Sequence, residues 1–165
     1  MIEPILNELR QEAETTKRVL DRVPEDKLDW KPHPKSMSLG QLALHVANIP
    51  GDLSRLARLN EFDAANANFE PAMPDSKEKV MRALEEGVAE ASKYLASLSP
   101  EIAEEVWRLT LRGNEVFVMP RAGLLRSLLF NHWYHHRGQL SVYLRLLDVP
   151  VPVIYGRSAD ENPFA

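Results

Sequence analysis

The stretch Asn131–Leu140, written NHWYHHRGQL, lies within a longer segment that otherwise has the leucine spacing of a helix with one apolar face. In a helix of 3.6 residues per turn, His132 and His136 fall on the same stripe as the flanking leucines. His135 points about 100° away from His136, towards the flank of that stripe. The spacing therefore predicts that two imidazoles occupy inward positions where this helix would otherwise place leucines.

A second apolar helix face, earlier in the chain, also carries a histidine. Ser38 followed by Gln41 forms a capping box, which marks the start of a helix. His45 then stands in the middle of the leucine- and isoleucine-rich face of that helix. Pro50 lies further along the same segment, and its missing N–H group predicts a kink or a break there.

Apolar side chains recur with helical spacing in four long segments. The predicted helices run from about Ile2 to Val23, from Ser38 onwards, from Asp75 with Glu78 as its capping partner, and from Pro120 to about Leu147. Alternation in Trp107–Leu111 and Val116–Val118, around a turn at Arg112–Asn114, predicts a small hairpin or extended excursion before the last helix. The sequence therefore predicts an all-α fold, an up-and-down bundle of four antiparallel helices that forms a single domain over residues 1–165.

Composition and charge narrow the classes of function. A net charge of -4, without alternating basic and aromatic residues, argues against nucleic-acid binding. The N-terminus lacks a signal-peptide pattern, and no apolar run is long enough to span a bilayer. We therefore expect a cytoplasmic protein whose partner is a small molecule rather than nucleic acid or a membrane. The chain has no cysteine, which excludes disulfides, thiolate metal ligands and a cysteine nucleophile.

Imidazoles on apolar helix faces need partners for both nitrogens of each ring. A divalent cation would meet this need, because neutral imidazole is a good metal ligand. Three such ligands from two facing helices would leave a coordination position open, as in a catalytic metal site. The alternative is that the histidines are hydrogen-bonded core residues of a metal-free interaction protein. The choice depends on whether the two helices face each other.

Four features of the sequence resemble the DinB/YfiT-like family. One is the HHRGQL run near the end of the last long helix, and a second is the lone histidine early in the second helix, within LALHVANIP. A third is the segment Trp30–Pro32, shortly before that helix, and the fourth is the closing segment Val153–Glu161. Together these features cover nearly the whole chain, so the chain is similar to this family from its first helix to its tail.

The resemblance implies a four-helix bundle with a three-histidine site for a divalent metal ion. The ligands of the family fall on His45, His132 and His136, which leaves His135 outside the ligand set. Members of the family characterised as enzymes include transferases and isomerases that use low-molecular-weight thiols, and metal-dependent hydrolases. Dimers are common in the family, so the resemblance implies a homodimer.

From this resemblance we expect a metal-dependent enzyme that transfers or adds a low-molecular-weight thiol to a small electrophile. Zn²⁺ and Ni²⁺ are the expected ions, although three imidazole ligands suit copper and iron about equally well and the availability of the metal would decide. Since the chain has no cysteine, the thiol would come from a co-substrate. The alternatives are a metal-dependent hydrolase and a non-catalytic metal-binding or stress-related bundle protein.

Three further residues are candidates for a catalytic role. Asp52 lies two turns beyond His45 and could act as a base, although a solvated surface acid would fit the same spacing. Tyr143 lies two turns beyond His136 and could offer a hydroxyl, although tyrosine is common in bundle cores. Arg137 directly follows a proposed ligand and could orient the site or bind an anionic group of the substrate.

Overall fold

The structure, a computed structural model, describes residues 2–164. Met1 and Ala165, the ends of the predicted domain, lie outside the described residues. The helices are α1 (Ile2–Asp21), α2 (Leu39–Ala57), α3 (Lys77–Ala96), α4 (Pro100–Glu104), α5 (Arg121–Leu124) and α6 (His132–Leu146). The strands are β1 (Glu61–Asp63), β2 (Val106–Leu111) and β3 (Asn114–Pro120). None of the helices in this part of the chain is both long enough and apolar enough to cross a membrane.

The fold is mostly helical but contains a small sheet in the order β1-β2-β3, so the expectation of an all-α protein is wrong in this region. The expected hairpin is present as antiparallel β2 and β3, and its turn places Arg112 and Gly113 at positive φ. Strand β1 pairs in parallel with β2 and was not predicted. Asp63 fixes β1 to the hairpin, because its carboxylate accepts the backbone N–H groups of both turn residues at 2.9 and 3.0 Å.

The helix directions also differ from an up-and-down bundle. Helices α2 and α3 run side by side in the same direction, with Gly51 against Gly87 midway and Ala57 against Tyr94 at their C-terminal ends. A Cβ atom at Gly51 would lie 2.9 Å from the Cα atom of Gly87, so the two backbones approach closely only because both residues lack a side chain. The crossover segment, residues 58–76, makes this parallel arrangement possible, since it returns the chain to the start of α3.

The starts of the helices agree with the sequence at α2 and differ by one residue at α3. Ser38 and Gln41 form the predicted capping box, with each side chain bound to the other residue's backbone N–H group. The N-cap of α3 is Ser76 rather than Asp75, because the serine hydroxyl accepts the backbone N–H of the third helical residue. Helix α2 continues through Pro50 without a break.

The last helix was predicted as one regular element from Pro120 to about Leu147. Instead, a π-helical stretch, residues Leu125–Asn131, separates α5 from α6. The wider turns of a π-helix change the phase of every position that follows. The buried row of α6 is consequently Trp133, Arg137, Leu140 and Leu144. The predicted inward positions of His132 and His136 are thus corrected to the half-buried flank of that row.

Candidate metal centre

His45, His132 and His136 come together between α2 and α6. The Nε2 atoms of His45 and His132 lie 3.4 Å apart. The ring centroid of His136 lies 4.5 Å from the ring centroid of each of the other two. One ring nitrogen from each histidine lies within 4.8 Å of those of its two neighbours, so the cluster could hold a metal ion.

Core contacts between α2 and α6 fix the relative position of the three rings. The indole Nε1–H group of Trp133 donates to the backbone carbonyl of Val46 at 2.9 Å, in the buried interior. This bond joins the residue after His132 to the residue after His45. Because the two neighbouring residues are tied together, their histidines are held facing each other on the flank of the same helix pair.

The electrostatics of the cluster favour uncharged imidazoles. Burial, followed by repulsion from His136 and His132, lowers the pKa of His45 to about 4. Burial is also the largest cause of the lowered pKa of His132 and of His136. All three rings are therefore neutral near pH 7, which is the protonation state that binds a metal ion.

Hydrogen bonds on the outer nitrogens of the rings determine which nitrogens are free for a ligand. The Nδ1–H group of His136 donates to the side-chain carbonyl of Gln139 at 2.7 Å, which leaves its Nε2 lone pair unprotonated. The Nδ1 atom of His132 is buried and has no hydrogen bond of normal geometry within residues 2–164. The Leu128 carbonyl is nevertheless close enough to raise the pKa of that ring against the effect of burial. Three neutral rings with converging nitrogens fit a divalent ion.

An open cleft of about 980 Å³ adjoins the cluster, and both His45 and His132 line it. Its walls are formed by α2, by the crossover segment and by Leu128 in the π-helical stretch. An ion held by the three histidines would therefore have space for a small molecule on the side of the cleft. A three-ligand site with an open position is the arrangement of catalytic rather than purely structural metal centres.

The structure places the three catalytic candidates differently. Asp52 lines the cleft, but its carboxylate is about half exposed and forms an ion pair with Arg55. Tyr143 donates its hydroxyl to the backbone carbonyl of Met37 at 3.3 Å, and its ring packs edge-on against Trp30. Of these two candidates, only Asp52 has its side chain in the cleft.

Arg137 lies on the other side of α6 from the cluster. Its side chain is 1% exposed and forms an ion pair of 2.6 Å with Glu12 of α1. The guanidinium also donates to the hydroxyl of Thr16 at 3.1 Å and to the hydroxyl of Tyr155 in the C-terminal segment. Arg137 therefore joins α6 to α1 and to the tail, and it does not reach the histidines.

His135 remains outside the cluster, as the sequence indicated. Its side chain is exposed, although its ring centroid lies 4.9 Å from that of His136. The sequence did not identify Asn48, which lies one turn beyond His45 and lines the same cleft. Its spacing of three residues from a predicted ligand was the available signal.

Comparisons with known proteins agree with this architecture. The model of the DinB family matches residues 2–162. The uncharacterized protein YrdA of Bacillus subtilis (strain 168) is 24% identical over 152 residues, covering 91% of this chain and 85% of the relative. The solved structure of a DinB-like protein from Bacillus cereus ATCC 10987 superposes with a TM-score of 0.70 at 22% identity, over 93% of this chain and 97% of that chain. The DinB-like protein YjoA from Bacillus subtilis gives a TM-score of 0.71 at 19% identity, over 93% and 99% of the two chains. Because the family match covers nearly the whole sequence, this chain belongs to the DinB family.

Proposed function

We propose that this protein is a divalent-metal-dependent enzyme that transfers or adds a low-molecular-weight thiol to a small electrophile. The proposed ligands are His45, His132 and His136. The observation that carries the proposal is the convergence of three neutral imidazoles beside an open cleft. Membership of the DinB family is consistent with a metal-binding protein.

A bound divalent ion with three neutral ligands would keep its double charge, lower the pKa of a bound thiol and polarise an electrophile. The chain's own residues prepare the site for this chemistry. Gln139 holds the proton of His136 on Nδ1, so that Nε2 faces the cluster. The mainly apolar walls of the cleft would cover the apolar part of a bound acceptor. Zn²⁺ and Ni²⁺ are the proposed ions, and the thiol belongs to a co-substrate because the chain has no cysteine.

Asp52 favours a second candidate function, that of a metal-dependent hydrolase. Its carboxylate lines the same cleft as His45 and His132 and could act as the base that receives a proton from an attacking water. Tyr143 and Arg137 have supporting roles in either reaction: they hold α6 against Met37 and Glu12 respectively. A third possibility is a non-catalytic, stress-related protein that binds the metal without turnover.

Metal content and activity assays separate these functions. Protein purified without chelator is expected to contain close to one equivalent of metal by elemental analysis, and His132→Ala is expected to contain less than about a tenth of that. The matched control is His135→Ala, which removes an exposed imidazole from the same helix. Wild type and control should consume thiol in assays that pair small thiols with electrophiles. Thiol consumption that survives His132→Ala would contradict the proposal.

Activity on esters or amides without any thiol would instead favour the hydrolase. Metal binding without either activity, across both screens, would favour the non-catalytic alternative. The proposal also includes a cytoplasmic homodimer, in keeping with the resemblance to the family. Light scattering on the purified protein should then give twice the mass of one chain, and a monomeric mass would contradict the dimer.

A further inference from the structure

The cleft beside the histidines has a mainly apolar wall. Its volume of about 980 Å³ is within the range that holds a small organic molecule. The apolar side chains come from three parts of the chain: Leu44, Leu53, Leu56, Phe62, Phe69 and Leu128. Phe69 is 74% exposed in the crossover segment, so it offers a large apolar surface at this cleft that the fold itself does not bury.

Most polar groups that line the cleft already have partners within the protein. The amide of Gln41 is bound at both ends, since its oxygen accepts a backbone N–H and its nitrogen donates to a backbone carbonyl. Asp52 and Arg55 neutralise each other in an ion pair. Asn68 accepts the backbone N–H two residues further along the chain. Both polar atoms of the Gln41 amide are thus engaged, whereas Arg55 and Asn68 each use only part of their hydrogen-bonding capacity.

Asn48 is different, because its half-buried side chain lines the cleft and forms no hydrogen bond within residues 2–164. It lies one turn beyond His45, and residues three apart on a helix are neighbours on its surface. Asn48 therefore lies next to His45 on the surface of α2, where it borders both this cleft and a smaller one towards α3. Its amide offers both a donor and an acceptor to a bound molecule.

We propose that the cleft binds a neutral, mainly apolar acceptor, and that the amide of Asn48 binds the single polar group of this acceptor beside the histidines. The inference rests on the proposed function in one respect, namely that the bound molecule is the thiol acceptor. An aromatic or aliphatic electrophile with one carbonyl or amide group has this chemistry. A substrate with several negative charges does not, because the lining carries two carboxylates, Asp52 and Glu70, against the one guanidinium of Arg55.

Binding to metal-free protein tests the proposal without relying on turnover. The probe is 1,6-diphenylhexatriene, a neutral hydrocarbon whose fluorescence rises in apolar surroundings. We expect it to bind chelator-treated protein and to be displaced by 1-naphthamide at a concentration at least about tenfold lower than by naphthalene-1,5-disulfonate. Failure of the probe to bind, or equal displacement by the dianion, would overturn the proposed substrate class.

Variants assign the binding to particular residues. Asn48→Leu should weaken 1-naphthamide binding about fivefold, the effect of one hydrogen bond, and leave the hydrocarbon probe unaffected. Phe69→Ser and Leu53→Gln should each weaken probe binding. Because Phe69 is exposed, its replacement leaves the core intact, and circular dichroism checks the folding of both variants. Val142→Gln, at an exposed apolar position that does not line this cleft, is the matched control and should change neither affinity.

Unchanged 1-naphthamide affinity in Asn48→Leu would show that Asn48 does not bind the polar group. The outcome is independent of the metal proposal, because every measurement uses metal-free protein. A chain that binds no metal could still show these affinities. Conversely, a protein that binds metal but not the probe would retain the proposed metal centre and lose the proposed acceptor.

Discussion

Helix α6 has two polar faces, and they differ in whether the rest of the protein supplies partners for their side chains. Towards α1, Arg137 is buried with a carboxylate and two hydroxyl groups as partners. Towards α2, the rings of His132 and His136 are half-buried, and their partners on that side within residues 2–164 are each other and His45. The charge on the first face is thus paired within the described residues, whereas the second face brings ring nitrogens of three residues together without any charged partner.

This difference separates structural polar groups from ligand-binding groups. A buried charge is tolerated when the protein supplies its counter-charge and its hydrogen bonds, as it does for Arg137. A cluster of neutral rings without such partners is tolerated if burying its nitrogens costs little free energy, or if a ligand binds to them. The sequence alone does not separate the two roles, because His136 and Arg137 are consecutive residues.

Of the changes predicted here, loss of the Arg137 side chain should lower the free energy of unfolding most. Arg137→Met removes the counter-charge of the mostly buried Glu12 carboxylate, which keeps the Tyr155 hydroxyl as a donor, and we expect the free energy of unfolding to fall by about 3 kcal/mol. Denaturant unfolding measures this change. Arg145→Met removes an arginine from an exposed ion pair with Asp160 and should lower the free energy of unfolding much less. Equal costs for the two variants would contradict the structural role of Arg137.

Removal of one imidazole from the histidine cluster should lower the free energy of unfolding mainly when metal is present. At a free metal concentration of about 100 times Kd, Zn²⁺ or Ni²⁺ should raise the free energy of unfolding of the wild type by about 2.7 kcal/mol. His132→Ala should lose this increase, and chelator should abolish it in the wild type. Thermal unfolding with and without metal measures the stabilisation of the wild type and its loss in His132→Ala. His135→Ala should keep the full increase, and a loss there would argue against the assigned ligand set.

A variant of Gln139 tests whether its hydrogen bond to His136 orients that ring for metal binding. Gln139→Leu removes the acceptor that fixes the Nδ1 proton of His136, and we expect metal affinity to fall about 10–100-fold. Gln139 is exposed, so the stability of the metal-free protein should be unchanged. Competition with a chromophoric chelator measures the affinity. An unaltered affinity would show that the hydrogen bond does not orient the ligand.

Acidification should produce the smallest effect, because solvent screens these half-buried rings. The pKa of His45 is about 4 in the folded protein and about 6.5 in an unfolded chain, so the unfolded state binds more protons between these values. The free energy of unfolding of metal-free protein should therefore be fully maintained above about pH 6.5 and fall as the pH decreases towards 4. In His45→Gln this pH slope should be shallower. A slope equal to that of the wild type would contradict the assignment to His45.

Local chemistry made part of the fold and of the site predictable from the sequence. The capping box at Ser38 and the turn before Asn114 depend on neighbouring residues alone, and both were found. The grouping of His45 with His132 was implied by the resemblance to the family, because the apolar faces alone left open whether the two helices face each other. The parallel direction of α2 and α3 depends instead on how the crossover segment packs. No local sequence pattern predicts that packing. Strand β1 is three residues long and depends on the distant hairpin turn that Asp63 binds, so it gave no periodic signal.

The π-helical stretch before His132 has a consequence for how this site could be gained or lost. Its wide turns take up about one residue more than a regular helix of the same length would accommodate. With the same number of residues, a regular helix here would rotate α6 by about 100° and carry a different row of side chains towards α2. Deletion of one residue within the stretch would instead allow a regular helix that keeps α6 in its present phase, so the histidine cluster should survive that deletion.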